Sequence, residues 1–145
     1  MAQREETVLI QLPLYLVVPA KHPFAARKSI SFDQVAPLPL ILPADPHPLR
    51  STLATLARQR KLTLPPALEA DTIRLQHEIV ACGGGFAITA GLLTPEDLRR
   101  LARVRIVRPV LFRSIVLGVT SHRPHTLATR SVEGLIRTRT PELLK

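Results

Sequence analysis

The chain is poor in cysteine and in aromatic residues. Cys82 is its one cysteine, so no disulfide can form within the chain, which is typical of proteins from a reducing compartment. Only 3% of the residues are aromatic and none is tryptophan, so platforms for stacking single-stranded nucleic acid are scarce. No apolar run approaches the roughly 18 residues that a membrane-spanning helix requires. We therefore expect neither a disulfide-stabilised nor a membrane-spanning protein.

Charge, by contrast, is abundant and mostly positive, with a formal net charge of +9. The arginines are scattered along the chain, so we interpret the charge as a solvated surface. A free-standing basic module that contacts the phosphates of nucleic acid is the alternative. The first residues, MAQREE, show no basic region followed by an apolar core. We therefore expect no signal peptide and a cytoplasmic location.

The remaining composition is that of one folded globular domain, with 145 residues of which 46% are hydrophobic and 21% charged. Short apolar runs alternate with segments of helical periodicity, which predicts an α/β fold with a parallel or mixed central sheet flanked by helices. Strands are predicted at residues 14–18, 38–42, 67–70, 86–90, 104–107 and 115–119, the last two as neighbours. Helices are predicted at about residues 46–60, 72–82 and 127–139, with a short helix after Thr94.

Capping residues and apolar stripes refine these helices. Asp45 is expected to cap the first helix with Pro46 at its first position, where a missing N–H costs nothing. Asp71 or Thr72 is expected to cap the second helix, and Gly83 to end it in a left-handed conformation. The buried stripe of that helix is predicted to contain Leu75, Ile79 and Cys82, helped by Ile73 and Val80. Cys82 is thus interpreted as a buried structural thiol and not as a nucleophile.

Three segments together resemble the effector-binding region of LysR-type transcriptional regulators. They are LYLVVPAKHP at residues 14–23, LPLILPADPHPLR at 38–50 and IVACGGGFAIT at 79–89, and the similarity extends from about Leu12 to Ile136. The chain departs from the family pattern where Lys61 replaces a glycine that usually ends a helix, so Lys61 is expected to be strained. Ala90 stands where such chains often have proline.

The resemblance implies a two-lobed fold of the periplasmic-binding-protein type (type 2) that holds a small effector between the lobes. It implies that this chain is the second lobe plus the final helix, and that DNA is bound by a separate winged helix-turn-helix domain. Residues 12–145 are thus predicted to be a partial effector-binding domain. Residues 1–11 are an N-terminal segment, either a remnant of the first lobe or a swapped strand.

The candidate ligand-binding residues are at helix starts and at a strand end. Unpaired N–H groups at the start of a helix favour an anion, which suggests that the helix after Pro43 binds a small anionic effector such as a carboxylate. The other candidates follow the rule that ligands collect at the carboxyl ends of strands. The set is His47, Arg50, Ser51, Thr72, Thr89 and Ala90. The alternative is that Asp45 and Thr72 only cap helices, that Arg50 is solvated and that Thr89 fills a strand.

No residue set indicates catalysis, a cofactor or a metal. His122 and His125 are the closest approach to a metal pair, but no cysteine or carboxylate joins them at zinc-site spacing. The apolar face of the last helix, with Val132, Leu135 and Ile136, would lack its usual covering surface. A homo-oligomer, either a dimer or a segment-swapped form, is therefore expected. Alternatives to the effector-sensing function are a fragment of a solute-binding protein, an enzyme on the same architecture, and the basic nucleic-acid-binding module.

Overall fold

The computed structural model describes residues 4–120 and 126–144. The elements in these residues are β1 (Arg4–Pro13), β2 (Tyr15–Pro19), β3 (Ser29–Ser31), α1 (Phe32–Val35), β4 (Leu40–Leu42), α2 (Pro48–Gln59), β5 (Pro66–Glu69), α3 (Ile73–Ala81), β6 (Phe86–Thr89), β7 (Leu101–Val107), β8 (Phe112–Thr120) and α4 (Leu127–Leu143). Short 3₁₀ helices span Pro23–Ala26 and Asp97–Arg99. No helix in the described ranges is both long and apolar enough to cross a membrane.

The chain divides into two compact units. The central unit is Pro13–Leu111, and the terminal unit combines Met1–Leu12 with Phe112–Lys145. The central unit contains a six-stranded sheet in the order β3-β7-β2-β6-β4-β5. β2 runs antiparallel to β6 and β7, whereas β3 is parallel to β7 and β4 is parallel to both β5 and β6. The predicted mixed sheet is thus confirmed.

The core of the central unit lies on both faces of its sheet. On one face, α3 packs against β2, β6 and β7, and Val80 contributes to a buried cluster with Val17 and Ala87. Because side chains alternate along a strand, the neighbouring Leu16 faces the opposite side of the sheet, where it is also fully buried. Strands buried on both faces explain why their sequences are continuous apolar runs.

The prediction that β7 and β8 are neighbours is wrong. Both edges of β7 are occupied, since β2 pairs with one side and β3 with the other. β8 pairs instead with β1 in a two-stranded sheet. The apolar alternation of the two segments was a correct sign of strands, but alternation carries no information about which strands pair.

The predicted start of α2 is also wrong. His47, not Asp45, is the N-cap, and Pro48, not Pro46, is in the first turn. The Nδ1 atom of His47 accepts a hydrogen bond from the backbone N–H of Leu49 at 3.1 Å, which satisfies a donor that the helix leaves open. At the other end of α2, Lys61 has a φ of 56°, so the expected strain there is confirmed.

The buried face of α3 agrees with the predicted stripe only in part. Val80 is buried as predicted, but Gln76 and His77 are buried too, whereas Leu75 is 51% exposed and Cys82 is exposed. Burial of a polar residue is tolerated when it is hydrogen-bonded, and the Gln76 side-chain amide donates to the carbonyl of Ala70 at 2.6 Å. Because Cys82 is exposed, the prediction that it is a buried structural thiol is wrong.

Both ends of α3 follow the prediction. Thr72 caps the start, because its hydroxyl accepts from the Leu75 N–H at 3.3 Å. Gly83 ends the helix with a φ of 82°, and the N–H of Gly84 bonds back to the carbonyl of Ile79 at 2.9 Å.

The terminal unit consists of β1, β8 and α4. Arg137 on α4 forms an ion pair with Glu133 at 2.7 Å and donates a hydrogen bond to the Thr7 hydroxyl on β1 at 3.0 Å. None of the residues of α4 is fully buried. Val132 and Leu135 on this helix are 54% and 62% exposed.

Candidate functional site

Three parallel strands of the central unit end at the same edge of the sheet. β4, β5 and β6 are parallel, so their carboxyl ends lie together. The start of β2 is at the same edge, because Tyr15 pairs with Thr89, the last residue of β6. We call this the carboxyl edge. It includes Tyr15, Thr89, Arg105 and the Arg103 guanidinium, the segments that follow the three strands (residues 43–47, 70–72 and 90–91), and the first turns of α2 and α3. All the candidate ligand-binding residues lie there, namely His47, Arg50, Ser51, Thr72, Thr89 and Ala90.

The start of α2 has little remaining capacity for an anion. The His47 ring already accepts from the Leu49 N–H, and Pro48 has no N–H. The N–H of Ser51 bonds to the carbonyl of His47 at 3.0 Å. Within the described chain, the backbone N–H of Arg50 is the one donor of this turn that has no acceptor.

The Arg50 side chain is engaged by acidic groups. Its Nη1 atom lies 2.6 Å from a carboxylate oxygen of Glu69 and 3.2 Å from the carbonyl of Pro43. Its Nε atom is 3.8 Å from Asp45. The side chain is only 17% exposed, so the alternative of a freely solvated arginine does not describe it. An anion at Arg50 would compete with two carboxylates, although a pocket of about 350 Å³ opens beside it, between Arg50, Arg58 and Leu64.

The start of α3 is more open. The Asp71 carboxylate accepts the N–H of Ala44 at 2.9 Å and so ties the segment after β5 to the segment after β4. Thr72 is engaged as the cap. No acceptor within the described residues reaches the backbone N–H of Ile73 or of Arg74. Two successive open N–H groups at a helix start attract anions.

The end of β6 is buried. Thr89 and Ala90 are 8% and 7% exposed, and the Thr89 hydroxyl accepts the N–H of Gly91 at 3.1 Å. This bond shapes the turn that follows β6, which agrees with a structural role for Thr89. The hydroxyl proton of Thr89 remains available to an acceptor.

Three residues of the carboxyl edge were not predicted from the sequence, namely Tyr15, Arg103 and Arg105. Arg105 pairs with Tyr15 across the β7–β2 ladder. The Arg103 guanidinium lies 4.1 Å above the Tyr15 ring and donates to the carbonyl of Gly91 at 3.2 Å. The available signal was the alternation of Arg103 and Arg105 around Val104, which places both arginines on the same face of a strand.

A second pocket of about 350 Å³ lies beside α3, lined by charged residues of α3 and of residues 94–100. Arg100 forms an ion pair with Glu78 at 2.5 Å, and this partner lowers the pKa of the Glu78 carboxyl. The hydrogen bond from Thr94 lowers the pKa of Asp97. His77 is buried with its Nδ1 atom 3.8 Å from Asp97. These contacts hold the 94–100 segment against α3.

Among the described residues, no group of three or more His, Cys, Asp or Glu side chains is placed so that it could hold a metal ion. His122 and His125 lie outside the described residues.

The profile of the LysR substrate binding domain matches residues 3–141 of the chain. A comparison with curated proteins found no match. Among solved structures, HinK, a LysR family transcriptional regulator from Pseudomonas aeruginosa, aligns with a TM-score of 0.84 and 21% identity over 97% of this chain and 49% of HinK. This chain thus spans about half the length of HinK.

Two effector-binding domains of known structure also align with this chain. The domain of QuiR in complex with shikimate has a TM-score of 0.78 and 17% identity, over 98% of this chain and 68% of that domain. The domain of BenM with its effector benzoate has a TM-score of 0.74 and 18% identity, over 98% of this chain and 66% of that domain. Likeness at these identities shows the fold, and it confirms the expected α/β lobe of the periplasmic-binding-protein type. Because the family profile covers nearly the whole sequence, the chain belongs to the LysR substrate binding domain family.

Proposed function

We propose that this chain senses a small-molecule effector as part of a LysR-family transcriptional regulator, and that the effector binds at the carboxyl edge of the central unit. The observation that carries the proposal is the family match over residues 3–141. In this proposal the protein binds its effector and does not catalyse a reaction, and it acts in the cytoplasm. DNA is contacted through a separate winged helix-turn-helix domain, and the regulator is a homo-oligomer.

The chemistry of the carboxyl edge supports an anionic effector. The start of α3 leaves the N–H groups of Ile73 and Arg74 without an acceptor in the described residues. A helix start with open donors stabilises a negative charge. The compounds bound to the similar domains of QuiR and BenM, shikimate and benzoate, are both carboxylates at neutral pH. The proposed contacts of the effector in this chain are His47, Arg50, Ser51, Thr72, Thr89 and Ala90.

The proposal is tested by titrating the 145-residue chain with a panel of metabolites and measuring its thermal unfolding. A ligand that binds only the folded chain raises the unfolding temperature. We expect carboxylates to raise it more than neutral analogues do. The Arg50→Ala variant, compared with the parent, tests the contribution of α2. A panel in which no metabolite binds the chain would refute the proposal, and equal affinity of the two proteins would remove Arg50 from the site.

A further inference from the structure

From the sheet register, we infer that a row of side chains across four strands, with Arg103 beside it, recognises the carboxylate of the effector. This inference rests on the proposed function and specifies its ligand chemistry. The row consists of Ser29 on β3, Arg105 on β7, Tyr15 on β2 and Thr89 on β6. We call these four residues together with Arg103 the basic row.

The register places the row at the carboxyl edge. Ser29 pairs with Arg105, Arg105 pairs with Tyr15, and Tyr15 pairs with Thr89. Residues directly opposite each other in a sheet project from the same face, so the four side chains form a continuous line. One step further into the sheet, Val17 is fully buried under α3. The row therefore forms the boundary between the apolar core and the open edge.

Arg103 contributes to this site through its guanidinium group. Its own Cα is opposite Val17, but its side chain reaches back over the Tyr15 ring. The ring contact and the hydrogen bond to Gly91 hold the guanidinium in place before any ligand arrives. A guanidinium that is already ordered loses less conformational entropy on binding a carboxylate.

The charges of the row are not balanced inside the described chain. Among the side chains that the structure describes, no carboxylate lies within 4.0 Å of Arg103 or Arg105, although Arg50 has Glu69 and Asp45. Arg103 and Arg105 are two residues apart on one strand face, which separates their Cα atoms by about 7 Å. Arg105 is exposed and Arg103 is half-buried at this edge, so an anion between the two guanidinium groups is reachable from solvent and is attracted by both charges.

The shape of these groups favours a carboxylate over other ligands. A guanidinium presents parallel N–H donors that match the two oxygens of a carboxylate. Tyr15 and Thr89 add hydroxyl donors at the same level of the sheet. A cationic ligand would meet two arginines and is excluded by charge. The site therefore selects small organic carboxylates.

The experiment uses benzoate and its neutral analogue benzamide as matched probes. The 145-residue chain is titrated with each probe, and binding is followed by the amide NMR signals of Thr89 and Gly91. We expect saturable shifts with benzoate and much weaker shifts with benzamide. Equal affinity for the two probes would overturn the carboxylate assignment.

Variants then test which arginine side chains bind the carboxylate. Arg103→Gln and Arg105→Gln are each expected to weaken benzoate binding by roughly 10-fold or more, because each removes a charge-assisted hydrogen bond. Arg103→Lys keeps the charge but loses the paired donors, so it is expected to recover only part of the affinity. Arg99→Gln removes an exposed positive charge just before the start of β7, at the opposite edge of the sheet, and serves as the control that is expected to bind as the wild type does. Unchanged binding by both Arg103→Gln and Arg105→Gln, or an equal loss of binding in Arg99→Gln, would overturn the inference.

Unfolding curves of each variant show whether the fold is retained, and the Arg103→Lys variant covers the case in which Arg103→Gln does not fold. If the wild type binds a neutral metabolite but no carboxylate, this inference fails and the proposed function stands. If no metabolite binds, both fail.

Discussion

The two units of the chain differ in what they bury. In the central unit the strands are buried on both faces, and every fully buried apolar residue in the described chain lies between Leu14 and Ile106. In the described terminal unit no side chain is fully buried, and Leu127, Val132 and Leu135 on α4 are all more than half exposed. Apolar burial is the dominant stabilising contribution in folding. The central unit thus has its own source of stability, whereas the terminal unit would gain stability from a surface that covers its exposed apolar residues.

The largest expected effect comes from truncating one leucine in each unit and comparing the losses of stability. Leu16 is fully buried in β2, whereas Leu127 is 84% exposed at the start of α4. Leu16→Ala is expected to lower the free energy of unfolding by about 2–5 kcal/mol, because it leaves a cavity in a packed core. Leu127→Ala is expected to change it by less than about 0.5 kcal/mol. Chemical denaturation of both variants measures the two values, and similar losses would contradict the difference in burial.

A second test asks what covers α4. We expect the 145-residue chain to form a dimer, by association or by exchange of terminal segments, because the exposed apolar face of α4 is otherwise in water. Leu135→Glu is expected to shift the chain to a monomer, as measured by light scattering after gel filtration. Leu98→Glu changes a residue of the central unit that is 57% exposed and serves as the matched control. A compact monomer of the wild type at micromolar concentration would refute this prediction.

The same substitution is expected to have opposite effects at two glycines, one in each unit. Gly85 has a φ of 149°, and a Cβ there would lie 2.6 Å from the carbonyl oxygen of Pro39. Gly85→Ala is therefore expected to destabilise the chain by about 1–3 kcal/mol. At Gly134 in α4, a Cβ would meet nothing within 4 Å. Gly134→Ala is expected to stabilise the chain by about 0.5–1 kcal/mol, because alanine favours the helix.

Thermal or denaturant unfolding of the two variants measures whether each substitution stabilises or destabilises the chain. A stabilising Gly85→Ala would show that the backbone relaxes around this position. A destabilising Gly134→Ala would show that this face of α4 is in close contact with something, which would agree with a covering partner.

Sequence alone predicted the positions of most elements of the central unit. Continuous apolar runs marked β2, β4 and β6, and the capping residue Thr72 and the terminating residue Gly83 marked the ends of α3. These signals are local, because a cap or an apolar run acts through residues that are close in sequence.

The failures occurred where a contact beyond the repeat of a single helix or strand decides the outcome. Gln76 is polar and buried because its amide meets the carbonyl of Ala70, which periodicity cannot reveal. His47 replaced Asp45 as the cap of α2, and Asp45 instead lies near Arg50. The basic row was missed for the same reason, since Arg105 and Tyr15 become neighbours only through the register of β2 and β7.

The smallest expected effect concerns an ion pair within the central unit. The Arg100 guanidinium lowers the pKa of the Glu78 carboxyl in the folded chain. A carboxyl whose pKa is lower in the folded state adds stability above its unfolded pKa, and this contribution disappears as the pH falls through the folded pKa. Asp97, whose pKa is lowered chiefly by its hydrogen bond with Thr94, has the same sign.

We therefore expect Arg100→Gln to lower the unfolding temperature slightly at neutral pH and not at all once the pH is below the range in which Glu78 titrates. Because both partners of the pair are exposed, the difference is expected to be small and to decrease with added salt. Arg99→Gln, at the neighbouring exposed arginine, is the matched control and should show no such convergence with the wild type. A difference for Arg100→Gln that persisted unchanged into acid would mean that Arg100 stabilises the central unit by packing and not through the Glu78 carboxylate.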